Sequence, residues 1–248
     1  DENHWKDVGY TIPDGVELIP GNYVSIERKR ENTPLSLYKY QEKEQIIQTR
    51  KCDNLTDECS WISEQTHRYI SEGVSPHEIM IISLDDRNSK AYFSKISSLL
   101  SDKFIRANNV IASSSSNPKF FIEDAVTLST VHRAKGNEAK VVLVCGLDAI
   151  YTERKSRSGR NKIFTAFTRT KAWLVVSGIG DAAQYFINEI NVSLDNSPYL
   201  NFTYPDKEKI QTIQRDLEGD SEEIQKLSDL YRSLKDKGYT EEELKRHM

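Results

Sequence analysis

Apolar and polar positions change period repeatedly along the chain, and the changes mark out strands and helices. Val126-Thr127-Leu128-Ser129 and Lys140-Val141-Val142-Leu143-Val144 are short β-branched runs that read as buried strands. Residues 78–84 and Trp173-Leu174-Val175-Val176-Ser177 have the same character. Between them the period shifts. Leu55, Cys59, Ile62, Thr66 and Tyr69 recur at helical spacing until Gly73 ends the run. Residues 89–100 predict a second helix, and a short strand is expected at 35–40. Strand–helix alternation of this kind predicts an α/β fold with a mainly parallel sheet flanked by helices.

The flanks differ from this middle. Residues 1–34 are rich in turn formers (Pro13-Asp14-Gly15, Pro20-Gly21-Asn22, Asn32-Thr33-Pro34), with a strand-like alternation at Tyr23-Val24-Ser25-Ile26. Residues 113–118 look like a surface loop ahead of the 126–129 strand. From Asp206 the chain becomes highly charged, with an apolar stripe of Ile224, Leu227, Leu230, Tyr231 and Leu234. Asp220 and Glu223 could cap that helix. It either packs on its own domain or binds a partner. The expected organisation is a turn-rich segment at 1–34, a main domain at 35–205 and a charged amphipathic helical tail at 206–248.

Composition narrows the class. The 248 residues leave room for one good core plus an appendage. No apolar run approaches the roughly 18 residues of a membrane span, and no secretion signal is visible, so a soluble cytoplasmic domain is expected. The opening at Asp1 suggests an excised fragment. The net charge of −4 argues against a generally basic nucleic-acid coat but allows a local positive track. Cys52, Cys59 and Cys145 are too few and too irregular for a disulfide framework, and Cys145 reads as a core thiol. No metal site is expected of them, because zinc spacing is missing.

Two stretches carry chemistry. Thr130-Val131-His132-Arg133-Ala134-Lys135-Gly136-Asn137-Glu138 crowds donors, one glycine and one carboxylate into a connection between two strands. That suits a nucleotide or phosphate ligand at the carboxyl end of a parallel sheet. In Arg160-Asn161-Lys162-Ile163-Phe164-Thr165-Ala166-Phe167-Thr168-Arg169-Thr170-Lys171, helical spacing puts Ile163, Phe164 and Phe167 on one face. Lys162, Thr165 and Arg169 fall on the other, which predicts that Arg169 points away from its own core.

These stretches resemble motifs V and VI of superfamily 1 helicases of the UvrD/Rep type, which read roughly T-x-H-x-A-K-G-x-E and A-x-T-R-x-K. Thr130, His132, Ala134, Lys135, Gly136 and Glu138 stand at the first set of positions, and Ala166, Thr168, Arg169 and Lys171 at the second. The resemblance extends over roughly residues 35–178 and looks closer to a bacterial UvrD-like branch than to UvrD itself. It implies that 35–205 is the second, C-terminal RecA-like domain of an ATP-dependent DNA helicase. ATP with Mg²⁺ would lie between it and an N-terminal RecA-like domain absent from this chain.

Roles follow from the same resemblance. Arg169 is expected to be the arginine finger, its planar fork suited to a transferring phosphoryl group. Glu138 is expected near the nucleotide sugar, and Gly136 where backbone must approach closely. Lys135 either supports the phosphates or shapes the turn. Thr130 and His132 are expected to face single-stranded DNA, and Arg160 is a further basic candidate there.

Departures are equally informative. The family arginine of motif IV is replaced by Leu84, with Arg87 one helical turn onward as a possible substitute. The segment between residues 100 and 126 is too short for the large helical insertion usual in the family. No G-x-x-x-x-G-K-[ST] occurs, so the phosphate cradle must lie elsewhere and the fragment alone should be inert as an ATPase. Glu138-Ala139-Lys140 has the E-x-K spacing of some nucleases, but its place inside motif V explains it better. The alternative to a motor domain is a non-catalytic nucleic-acid or protein-interaction module derived from a helicase.

Overall fold

The computed structural model describes residues 2–28, 37, 40–112 and 119–206. Contacts divide the chain into two compact units. Among the described residues, one contains Asp14–Ser25 and 201–206, and within it Tyr204 donates to the Asn22 carbonyl while Gly21 donates to that of Tyr204. The other contains Asn3–Pro13 and Ile26–Leu200 and holds the candidate site residues Arg87, Thr130, His132, Lys135, Gly136, Glu138, Arg160 and Arg169.

The strands, in chain order, are β1 (Tyr10–Thr11), β2 (Tyr23–Arg28), β3 (Ile47–Cys52), β4 (Ile79–Ser83), β5 (Arg106–Asn109), β6 (Ala125–Thr130), β7 (Ala139–Cys145), β8 (Thr170–Ile179) and β9 (Tyr199–Thr203). The α-helices are α1 (Glu2–Asp7), α2 (Lys43–Ile46), α3 (Leu55–Ser71), α4 (Ser89–Ser101), α5 (Val131–Ala134), α6 (Arg157–Phe167) and α7 (Gly180–Asn196). Six strands form one sheet in the order β3-β8-β7-β4-β6-β5, and every neighbouring pair is parallel. The fold is α/β, with helices on both faces of the sheet.

Strand alternation explains how both faces are filled. In β4, Ile79 and Ile81 pack under α3 and α4 with Ile62, Phe93 and Ile96, whereas Met80 and Ile82 face the opposite way. There they meet Ala134 of α5, Ala166 of α6 and Phe186 of α7. All five β4 residues are buried, which accounts for their continuous apolar character.

Several expectations change here. The strand expected at 35–40 lies mostly outside the described residues, and Tyr40 donates to the Leu37 carbonyl in a turn. The sheet instead begins at β3. The 113–118 loop and the charged tail from 207 lie outside the described residues. α7 and β9 were not foreseen. Of the apolar face expected on α6, Ile163 and Phe167 pack against the core while Phe164 is 67% exposed; the helix also buries Gly159 and Ala166.

Candidate nucleotide and nucleic-acid edges

Thr130 ends β6 beside Ser83, the last residue of β4, so it lies at the carboxyl edge of the sheet. The chain then turns through α5, which carries His132, and crosses to the amino end of β7. This crossing contains a tight turn. Asn137 donates to the Ala134 carbonyl at 3.0 Å, Lys135 has φ −55° and ψ 130°, and Gly136 has φ +82°. Those angles fit a type II turn, whose third position requires positive φ and therefore favours glycine. Gly136 thus has a backbone reason to be there that needs no ligand. An added Cβ would meet nothing within 4 Å, so no close packing restricts it.

Glu138 follows this turn and immediately precedes β7, while Arg169 immediately precedes β8. Ala139 pairs with Thr170, and the Ala139 amide donates to the Arg169 carbonyl at 3.0 Å. The sheet register therefore holds Glu138 and Arg169 side by side at the amino edge. The expectation of a single site at the carboxyl end is corrected: Thr130 and His132 lie at one end of the strands, Glu138 and Arg169 at the other. A parallel strand rises about 3.3 Å per residue, so the six-residue step from Ala139 to Cys145 spans about 20 Å.

Arg169 sits beyond the end of α6 rather than on it. Its amide donates to the Ala166 carbonyl, its Nε donates to the Thr165 carbonyl at 3.1 Å, and one Nη donates to Thr168 Oγ1 at 3.3 Å. The guanidinium thus satisfies the Thr165 carbonyl and the Thr168 hydroxyl at the helix C-terminus, a favourable place for a cation. Among the described residues its other donors have no partner. Glu138 and Lys135 are exposed.

Arg87 follows Ser83 on the carboxyl side of β4, where Asp85 Oδ1 accepts from the Arg87 and Asn88 amides. It is therefore not brought together with Arg169 and Glu138. Leu84, at the family arginine position, is 1% exposed and belongs to the core. Arg160 faces α7, where Nη1 donates to Glu189 Oε2 at 2.6 Å. It borders an apolar cleft lined by Ile163, Phe164, Phe167, Leu174, Phe186 and Ile190, and the structure does not group it with Thr130 and His132.

The basic residue of α6 that does reach that edge is Lys162. Its Nζ lies 3.4 Å from Asp86 Oδ2, and His132 Nε2 lies 4.0 Å from the same oxygen. Helical spacing had placed Lys162 off the apolar face, but nothing in the sequence paired it with Asp86, 76 positions away.

Behind the carboxyl edge lies a buried carboxylate that the sequence pattern missed. Glu58, in the first turn of α3, is fully buried. It accepts from Tyr92 at 2.6 Å, the Gly146 amide at 2.9 Å and Ser177 at 2.7 Å, tying α3 to α4, β8 and the turn after β7. Burial raises its pKa above the ordinary 4.5, and those three donors oppose the rise. Cys52, Cys59 and Cys145 are free buried thiols; burial pushes those of Cys52 and Cys59 up to about 12.

The stretch from β6 through β8, with both edges on it, can be compared with known proteins. Residues 125–177 match the UvrD-like helicase C-terminal domain family. The UvrD-like segment thus runs from the first residue of β6 into β8, and includes Thr130, His132, Glu138 and Arg169. Among solved structures, the C-terminal domain of a possible DNA helicase from a Lactobacillus, strain WCFS1, is similar at 15% identity and a TM-score of 0.42. That similarity covers 57% of this chain and 78% of the other. No curated protein matches the chain by sequence. No described helix is long and apolar enough to cross a membrane.

Proposed function

We propose that the chain supplies the second motor domain of an ATP-driven superfamily 1 DNA helicase, with nucleotide at one edge of its sheet and single-stranded DNA at the other. The observation that carries this reading is the backbone hydrogen bond from Ala139 to Arg169, which sets Glu138 beside Arg169 while Thr130 and His132 lie at the far ends of the strands. The side chains available at the amino edge suit the outer parts of a nucleoside triphosphate. Arg169 offers unused guanidinium donors to phosphoryl oxygens, and Glu138 offers a carboxylate to a sugar hydroxyl. A single cation with no glycine-rich cradle is half a phosphate site, so the remainder, including the groups holding Mg²⁺, belongs to the first RecA-like domain. ATP bound between the two domains would supply the phosphoryl group. Arg169 would orient it and offset its charge in transfer.

The hold of Thr165 and Thr168 on Arg169 favours a second reading, in which the arginine only caps α6 and the domain is a non-catalytic interaction module. Two variants of the full-length protein separate them. His132→Ala should weaken binding of labelled oligothymidylate several-fold and leave nucleotide affinity unchanged. Glu138→Gln should weaken nucleotide binding and leave basal DNA affinity unchanged. If both variants keep normal nucleotide and DNA affinity, neither edge is a ligand site and the module reading takes over.

A further inference from the structure

Among the described residues, Asp86 is the carboxylate that lies within 4.0 Å of basic side chains from both chemical stretches. Its Oδ2 is 3.4 Å from Lys162 Nζ and 4.0 Å from His132 Nε2. Lys162 is the more enclosed partner: its side chain is 24% exposed, against 40% for Asp86 and 61% for His132. An ammonium so placed offers its charge to an anion at the position Asp86 Oδ2 occupies. Asp85 beside it is already committed, one oxygen accepting from the Arg87 and Asn88 amides and the other from the Asn88 side chain. Asp86 is thus the acidic neighbour facing Lys162 and His132, on a short turn between β4 and α4, with its side chain 40% exposed.

We infer that Lys162 and His132 form one phosphodiester-binding site, and that Asp86 occupies it until the phosphate of a bound strand displaces the carboxylate. A carboxylate oxygen and a phosphate oxygen are interchangeable acceptors for an ammonium. The strand therefore competes with Asp86 for Lys162 instead of meeting an empty site, which lowers affinity and disfavours weak anions. As to the strand, the inference rests on the reading of the carboxyl edge as a nucleic-acid surface; as to the anion, it rests on the geometry alone.

The test uses the full chain, with inorganic phosphate and a labelled oligothymidylate as separate probes, each read by the His132 imidazole NMR signals and by anisotropy for the oligonucleotide. Asp86→Asn should tighten both probes at least threefold, and Lys162→Gln should weaken both by a similar factor. In the double variant the gain from Asp86→Asn should vanish, because no ammonium remains to be released. Tightening of phosphate alone, with oligothymidylate bound no better than phosphate, keeps this anion site and removes the strand reading. Oligothymidylate binding that neither substitution alters overturns the inference and leaves the strand reading intact. Failure of the wild type and of Asp86→Asn to bind either probe overturns both.

Discussion

Glu58 shows how one side chain can hold several elements and still titrate. Its three donors come from α4, the turn after β7, and β8, so truncation would leave buried polar groups without partners. Burial places its folded pKa above the unfolded value. In the window between the two, the fold holds a proton that the unfolded chain has released. That contribution to stability is complete below about pH 4.5 and is lost as pH rises through the folded value. Chemical denaturation at a series of pH values should show this decline in the wild type and a flatter curve in Glu58→Gln, which can still accept from Gly146 and Ser177. Glu58→Ala should cost about 1–3 kcal/mol or more at every pH. Equal stabilities for the Gln and Ala variants would mean that the network contributes nothing.

The residues at the two edges differ in how far sequence could reveal them. Gly136 stood out as a glycine beside a charged turn, but its φ of +82° reveals a type II turn as sufficient cause. Lys162 was legible as a polar-face cation, and Asp86 was legible only as an acid after a strand. Their pairing is set by tertiary packing through α5, which contacts both β4 and α6 and which no local pattern encodes.

At the level of elements, the central strands were legible because they are buried on both faces and read as unbroken apolar runs. The two edge strands were not. β3 contains Gln48, Thr49, Arg50 and Lys51, and β5 is Arg106-Ala107-Asn108-Asn109. Polar residues suit an edge, where they discourage pairing with another chain, but they erase the hydrophobic signal that would reveal the strand. The α6 helix was legible as a helix, and its apolar face was legible at Ile163 and Phe167, which pack against the core, but not at the exposed Phe164. Its tightest contact is made by Gly159, where an added Cβ would come within 2.4 Å of the Glu153 carbonyl oxygen. Gly159→Ala should therefore destabilise the domain by about 1–3 kcal/mol, despite alanine's better helix propensity. Thermal unfolding checks this directly, and a stability equal to or above the wild type would mean that α6 packs less closely on that turn.

At the scale of the whole domain, the parallel sheet acts as a spacer with a different chemistry at each end. Strand register fixes Glu138 beside Arg169, and the crossing through α5 and the Gly136 turn links that pair to Thr130 and His132. Under the proposed function, one element would take part in both sites, as a motor requires if nucleotide state is to alter its hold on a strand. Among the described residues, α5 and the type II turn form the covalent link between the two edges.

The most direct measurement is single-turnover ATP hydrolysis by the full-length protein carrying Arg169→Ala, with and without single-stranded DNA, beside a nucleotide-binding titration. A guanidinium that acts on the transferring phosphoryl group typically contributes about 10³–10⁵ in rate, or roughly 4–7 kcal/mol of barrier. Loss of the α6 cap alone would lower stability and leave turnover at permissive temperature nearly unchanged. The account predicts a fall of that size with ATP affinity largely retained; near-normal hydrolysis by a folded Arg169→Ala protein would contradict it.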